Sequence, residues 1–334
     1  MNIEKLSTIL AAEPKYRFQQ INQALFQDYI SDWSEVSNLP KVLREKLAMA
    51  CPLEIKVGVY QGTGKNRSDK ALITLADGEQ IETVLIIGTD QRNTVCLSSQ
   101  VGCAMNCSFC ATGQAGFRRN LSSAEMVEQV VFWQRYLKPK QQKIDNLVFM
   151  GMGEPFNNYS EFIKAVKFIN NPETLNIGAR RISVSTVGVV EGIKKLASEK
   201  IQINLAISLH APNDVLRGRL IPSAQKYKIK DILKEVDDYI RKTGRRVMFE
   251  YLLIKDLNDS ATVAQELTKL IKKPLYFVNL IPYNPTSKKY QPSLPARMKE
   301  FQKILEDNQV PVTFRHSYGQ DIAAACGQLR GNKK

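Results

Sequence analysis

From residue 91 onward, short β-branched runs alternate with amphipathic stretches, and this rhythm limits the chain to very few folds. The strand candidates are NTVCLS (93–98), NLVFM (146–150), RISVST (181–186), INLAISL (203–209), VMFEYLL (247–253) and YFVNLI (276–281). Helical spacing lies between and after them, at about 122–137, 158–170, 190–199, 227–243, 259–272 and 295–308. Six β-α units in a row predict an α/β chain whose parallel sheet carries helices outside it, as a barrel or an open doubly wound sheet. In both, the active site forms at the C-terminal ends of the strands. The suggestive motifs fall there: Cys103 to Cys110 after the first strand, GMGEP (151–155) after the second, STVG (185–188) at the third, SLHAPND (208–214) after the fourth and IPYNP (281–285) after the sixth. One composite site is expected.

Residues 3–50 have helical spacing, with Phe18, Ile21, Leu25 and Tyr29 on one stripe and Leu43, Leu47 and Ala50 on another. Residues 53–60, 70–76 and 80–87 alternate as strands do, and Asp77-Gly78 marks a hairpin between the last two. An accessory module of helices and strands over residues 1–90 is therefore expected, followed by the β-α core over 91–334. GTGK (62–65) has the look of a phosphate loop. Yet no glycine stands five residues before Gly64, and Asn66 replaces the Ser/Thr that would hold magnesium, so the stretch reads as a turn.

No run of eighteen apolar residues occurs, and the first twenty positions lack the basic start and apolar middle of a signal peptide. A cytoplasmic protein with no membrane segment is expected. The net charge of +14 is uneven: residues 1–90 carry 10 Lys+Arg against 12 Asp+Glu, leaving 37 against 21 for the rest. Such an excess on the core suits a polyanion, nucleic acid first, with generic solubilising charge as the plain alternative. Of the basic pairs Arg118-Arg119, Arg180-Arg181, Arg217/Arg219, Arg245-Arg246 and Lys288-Lys289, those in loops that follow strands are the better phosphate contacts; any of them can instead be a solvated face.

Six cysteines in a long chain without an export signal point to metal or redox chemistry rather than disulfide staples. CAMNCSFC gives Cys103, Cys107 and Cys110 at C-x3-C-x2-C spacing, which can hold three corners of a four-iron cluster and leave the fourth iron open to substrate. Structural zinc, the competing reading, wants a fourth ligand, and neither Cys96, Cys326 nor either histidine stands at short spacing downstream. Taken singly, Cys96 and Cys326 read as small buried hydrophobes, Cys51 as structural, and His210 as a side chain that satisfies a backbone carbonyl.

The cysteine triplet after the first strand resembles that of the radical S-adenosylmethionine (SAM) superfamily, which implies a partial (β/α)6 barrel. It implies also that SAM chelates the open iron and is cleaved to a 5′-deoxyadenosyl radical. GMGEP is similar to the superfamily's SAM-contacting motif, with Gly153 admitting the backbone closely and Glu154 accepting from the methionine ammonium. CLSSQVGCAMNCSFCATGQAGF (96–117), VSTVGVV (184–190), AISLHAPND, FEYLLIKDLNDS (249–260), NLIPYNP (279–285) and DIAAACGQL (321–329) narrow the resemblance, over nearly the whole chain, to the RlmN and Cfr adenosine methyltransferases.

That family implies roles. An adenine ring carbon such as C2 has no nucleophilic lone pair, so a radical must add to it. Cys326 matches the C-terminal cysteine that takes a methyl group from one SAM by displacement. A second SAM supplies the radical that removes a hydrogen from that S-methyl group, and the methylene radical adds to the base as a covalent adduct. Cys96 matches the thiol that resolves the adduct by forming a disulfide with Cys326, and Glu82 in IETV the proton acceptor, although one extra residue separates Glu82 from Cys96 here. Gly153, Glu154, Ser185, Ser208, Leu209, His210 and Asn284 match SAM contacts, and Cys103, Cys107 and Cys110 the [4Fe-4S] ligands. The implied partners are 23S rRNA at the peptidyl transferase centre, tRNA beside the anticodon, and an electron donor such as flavodoxin, with the enzyme a monomer.

GMGEP and SSQVGCA look RlmN-like, implying C2 methylation, because Cfr enzymes tend to have alanine after that glutamate and cysteine in place of Val101. RHSYG (315–319) looks closer to Cfr, which methylates C8, and Ala323 replaces the family's usual aspartate. His316 matches no family role. A zinc-bearing RNA-binding protein without catalysis is the alternative from a different class.

Overall fold

The computed structural model describes residues 3–63, 67–315 and 317–331. Gly64 and Lys65 of GTGK, and His316, lie outside them. Helices α1 (Ile3–Leu10), α2 (Lys15–Phe26) and α3 (Lys41–Ala50) precede strands β1 (Val57–Gln61), β2 (Ser68–Thr74), β3 (Gln80–Ile87), β4 (Asn93–Cys96) and β5 (Gln100–Gly102). Then come α4 (Ala111–Gln114), β6 (Phe117–Asn120), α5 (Ser123–Leu137), β7 (Asn146–Phe149), α6 (Tyr159–Asn170), β8 (Ile182–Thr186) and α7 (Val190–Leu196). The chain continues with β9 (Asn204–Ser208), α8 (Asp214–Leu220), α9 (Ile229–Thr243), β10 (Val247–Leu253), α10 (Ala261–Ile271), β11 (Tyr276–Pro282), α11 (Pro295–Asp307) and β12 (Val312–Phe314).

Ten strands form one sheet in the order β1-β2-β3-β4-β7-β8-β9-β10-β11-β12. Pairing from β4 through β12 is parallel throughout, and β1 to β4 pair antiparallel. The six expected strands are therefore the heart of an unclosed barrel, widened on one side by a meander and on the other by β12. Helices cover the strands, and every residue of β4 and β7 to β11 is buried or half-buried, as a covered parallel sheet requires. Helix α9 shows the matching pattern: Ile229, Ile232, Leu233, Val236 and Tyr239 are buried along one stripe, and Gly244 ends it in the left-handed conformation.

The strands of the first 90 residues are hydrogen-bonded to the core through β3 and β4. Arg135 on α5 donates to the Leu53 carbonyl at 3.0 Å, and Tyr136 donates to Asp69 at 2.8 Å. Phe18 corrects the sequence reading: it is 45% exposed, while Ile21 and Leu25 are fully buried. The first turn of α2 overhangs into solvent, and the helix enters the core only from Ile21. Cys51 is buried at the end of α3, where its carbonyl accepts from Trp33 Nε1 at 2.8 Å.

Candidate active site

The cavity at the C-terminal strand ends begins with how β4 stops. Thr83 on β3 donates to the Cys96 carbonyl at 2.7 Å and accepts from Trp133 Nε1 at 3.1 Å. Gln129 on α5 clamps Ser98 from both sides, accepting from its N–H at 2.8 Å and donating to its carbonyl at 2.9 Å. The Ser98 hydroxyl donates to the Glu82 carbonyl at 2.6 Å and accepts from Met152 N at 2.9 Å. The chain then enters the β5–β6 hairpin, whose closure demands glycine: a Cβ on Gly102, at φ +74°, would sit 1.9 Å from the Gly116 carbonyl oxygen.

Cys103, Cys107 and Cys110 lie on the loop between those strands, all lining the cavity. Burial pushes the Cys103 thiol up to about 12 and those of Cys107 and Cys110 upward too, which favours the protonated thiol while no cation is beside it. Among the described residues no three His, Cys, Asp or Glu side chains converge on one ion-sized point. A four-iron cluster puts each thiolate on its own iron, and three thiols around a cavity suit it.

Gly153, at φ +104°, passes so close to Gln100 that a Cβ would lie 2.6 Å from the Gln100 Cβ. Glu154, which follows, is 3% exposed. Its N–H donates to Gln100 Oε1 at 2.8 Å, and its carboxylate accepts from Phe156 N at 3.0 Å and Val187 N at 2.8 Å. Burial nevertheless raises its pKa to about 7. Such a carboxylate in a cavity wall suits an ammonium group, which would restore its charge.

Ser185 and Ser208 face each other across β8 and β9 with hydroxyls 3.0 Å apart. His210, at φ +59°, accepts from Leu252 N through Nδ1 at 3.1 Å, so the neutral ring carries its proton on Nε2. It satisfies a backbone N–H, not the carbonyl that sequence alone suggested. Phe109 from the cysteine loop meets its ring edge-on at 5.0 Å. These residues line the cavity with Gly153, Glu154 and Asn284, whereas Leu209 is fully buried and is not among the lining residues.

Residues 319–331 form a strap along the cavity, which Ala324, Ala325, Cys326, Gly327 and Leu329 help to line. Ala111 N donates to the Gly327 carbonyl at 2.7 Å, Asn284 Nδ2 to the Cys326 carbonyl at 3.2 Å, and Gln328 Nε2 to the Pro285 carbonyl at 3.1 Å. Cys326 is exposed and Cys96 buried, yet both line this one cavity. Burial, and then the Cys326 thiol, push Cys96 up to about 12. Glu82 stands outside the lining: it pairs with Lys70 at 2.9 Å and accepts from Arg330 N at 2.6 Å. Lys70 also donates to the Ala323 carbonyl at 3.2 Å. The cavity holds about 1460 Å³ of empty space, partly continuous with solvent.

Sequence reading missed Glu250 and Arg315, which also line it. The one available signal for Glu250 was an acid inside an otherwise apolar strand. The basic pairs sort by position. Arg217 is buried, donating to the carbonyls of Val187 and Tyr227, so it is neither a solvated face nor a phosphate contact. Arg118 pairs with Glu79 at 2.7 Å, and Arg119 with Asp77 and Glu125 at 2.6 and 2.9 Å. Arg180-Arg181 and Arg245-Arg246 precede strands, at the far end of the barrel. Lys288 and Lys289 are exposed in the loop after β11, at the mouth.

A parallel half-barrel with three cysteines on its first strand-end loop defines a class, and residues 97–265 match the radical SAM superfamily. The crystal structure of a radical SAM methyltransferase from Sphaerobacter thermophilus superposes with a TM-score of 0.92 at 43% identity, covering 99% of this chain and 98% of that one. A protein of Dictyoglomus thermophilum named probable dual-specificity RNA methyltransferase RlmN is 45% identical over 98% of this chain and 95% of its own length. Ribosomal RNA large subunit methyltransferase N of Nitrosopumilus maritimus is 43% identical over 95% and 92%. The chain belongs to the RlmN family of radical SAM methyltransferases.

Proposed function

We propose that this protein methylates C2 of an adenosine in the peptidyl transferase centre of 23S rRNA, and an adenosine beside the anticodon of tRNAs. What supports the reading is one cavity that gathers Cys96, Cys326 and the three loop cysteines from segments more than two hundred residues apart. Cys103, Cys107 and Cys110 would hold a [4Fe-4S] cluster, and Glu154, Gly153, Ser185, Ser208, His210 and Asn284 the SAM, with Leu209 backing them from the core. So bound, the pair supplies a methyl group and, on reduction by a donor such as flavodoxin, a 5′-deoxyadenosyl radical.

The chain's own residues do the rest. The Cys326 sulfur carries the methyl group as a thioether, which gives up one hydrogen atom to that radical and adds to the ring carbon as a methylene bridge. Glu82 accepts the proton that leaves that carbon. Its present partners, Lys70 and the Arg330 N–H, tie it to the strap, so the strap must lift for it to act. The unpaired electron of the adduct would return to the cluster; Cys96, as a thiolate, then attacks the Cys326 sulfur, the sulfur–methylene bond breaks with its electron pair on carbon, and that carbon takes up a proton as the methyl group while the two cysteines are left as a disulfide. Residues 1–90 serve as an RNA-associated accessory module to the core of residues 91–334, in a cytoplasmic monomer; no described helix is long and apolar enough to cross a membrane.

The test incubates reconstituted protein with SAM, reductant and unmodified rRNA or tRNA, then identifies the methyladenosine isomer. The 2-methyl product is expected, and an 8-methyl product refutes the C2 assignment. Cys326→Ala should keep the iron and sulfide content and lose methylation; undiminished methylation removes the carrier role.

A further inference from the structure

Two buried side-chain polar atoms without partners line the cavity among the described residues: Glu250 Oε1 and Ser317 Oγ. Glu250 is 3% exposed, and its other oxygen is fixed by a relay across three neighbouring strands. Asn279, its register partner on β11, donates to Oε2 at 2.8 Å. Thr313, the register partner of Asn279 on β12, donates to Asn279 Oδ1 at 3.3 Å. The Glu250 backbone is held as well, its carbonyl accepting from Leu209 N at 3.1 Å and His210 N at 3.3 Å. The carboxylate is thus oriented with one oxygen satisfied and one not. A buried acceptor left unmatched is costly, and a ligand donor would offset that cost.

Arg315 stands on the same wall, its Nη1 reaching Met150 Sδ at 3.7 Å. Burial pushes the Glu250 carboxyl up, and the Arg315 charge followed by the Asn279 hydrogen bond draws it back toward the ionised acceptor; the same charge acts on Cys96 and Cys326. One cavity is therefore lined by an oriented acceptor, a cation and the two thiols. The complement is a flat heterocycle with an amine donor adjacent to a ring-nitrogen acceptor, as along the edge of adenine.

We infer that Glu250, oriented by Asn279 and Thr313, accepts the exocyclic amine of the target adenine while Arg315 donates to a ring nitrogen, so that this pair selects the base. The inference rests on the methyltransferase reading, because only that reading brings the target base to the two thiols. The cofactor's own adenine is the other source of the same amine, and the test separates the two.

Glu250→Gln decides it. Since Asn279 donates toward Oε2, the glutamine carbonyl takes that position and its NH2 becomes the free group, replacing an acceptor by a donor. Single-turnover methylation by cluster-reconstituted protein is measured on target-loop RNA carrying adenosine, purine riboside or inosine at the reacting position. All three keep the hydrogens on C2 and C8. Wild type is expected to prefer adenosine to both by roughly tenfold or more, a polar site rejecting an analogue that leaves it unmatched. Glu250→Gln should invert the adenosine–inosine order, with SAM affinity by equilibrium dialysis within about twofold of wild type.

Equal wild-type rates on adenosine and purine riboside overturn the inference whether or not the variant folds, and so does a variant that keeps the wild-type order. SAM affinity reduced tenfold with the base order intact moves the acceptor to the cofactor and overturns it too. Wild-type protein that holds cluster and SAM yet never methylates the adenosine RNA sinks the methyltransferase reading, and this inference with it.

Discussion

His210 and Glu154 are pushed in opposite senses by the same burial. The imidazole pKa falls from 6.5 to about 3, desolvation first and the Arg217 charge second. The folded state therefore binds fewer protons than the unfolded chain below pH 6.5, and stability drains away as pH falls toward 3. Glu154, raised from 4.5 to about 7, drains stability as pH rises through that interval, so the two offset between about 4.5 and 6.5. Replacing His210 with Asn keeps an acceptor for Leu252 N and removes one side of the balance. Urea unfolding between pH 6 and 4.5 should show the variant gaining stability on acidification relative to wild type, in which the two slopes offset, by up to about 1.4 kcal/mol per unit. Equal slopes would mean that the ring is not held neutral. Ala323 carries a backbone cost of its own: it sits at φ +50°, a region that aspartate or asparagine tolerates better, so the departure from the family's aspartate falls at a strained position.

At the scale of elements, long periodic segments were legible and short ones were not. β10 runs over Val247–Leu253, the bounds its apolar run suggests, and α5 starts one residue after the expected position, behind a Ser122–Glu125 capping box. β5, β6, β12 and α4 have three or four residues each, too few to show a period, and α8 is a seven-residue helix that begins only at the last residue of the SLHAPND segment. Yet the β5–β6 hairpin decides where the cysteine loop stands, and Gly153 decides how closely the GMGEP loop approaches it. Gly153→Ala must displace Gln100 and strain a φ of +104°. Thermal unfolding is expected to show a loss of about 2 kcal/mol or more, with weakened SAM binding by equilibrium dialysis. A variant that matches wild type in both would show that the loop has slack.

The whole molecule joins ends that the sequence leaves far apart. The first 90 residues lend three strands to the core sheet, and residues 323–331 return to lie on the cysteine loop, β2 and β3. Tertiary position also decides which positive charges can meet RNA. With Arg217 buried and Arg118 and Arg119 paired, Lys288 and Lys289 after β11 and Arg219 on α8, beside the cysteine loop, are exposed cations on the strand-end side. Replacing both lysines with Ala should lower the slope of log affinity against log salt by roughly one to two, without changing which base is methylated. An unchanged slope would remove them from the interface.

The β-α rhythm, the cysteine spacing and the motifs at strand ends determine the half-barrel, the site's location and the radical SAM class, because each is a local pattern: an apolar period or a spacing within one loop. Only the tertiary structure decides that Cys326 and Cys96 share a cavity, that Arg217 is structural, that Glu82 is tied to the strap and that Glu250 keeps an unmatched oxygen. Those facts depend on which strands become neighbours and in what register, and hydrogen bonds across registers leave no period along the chain.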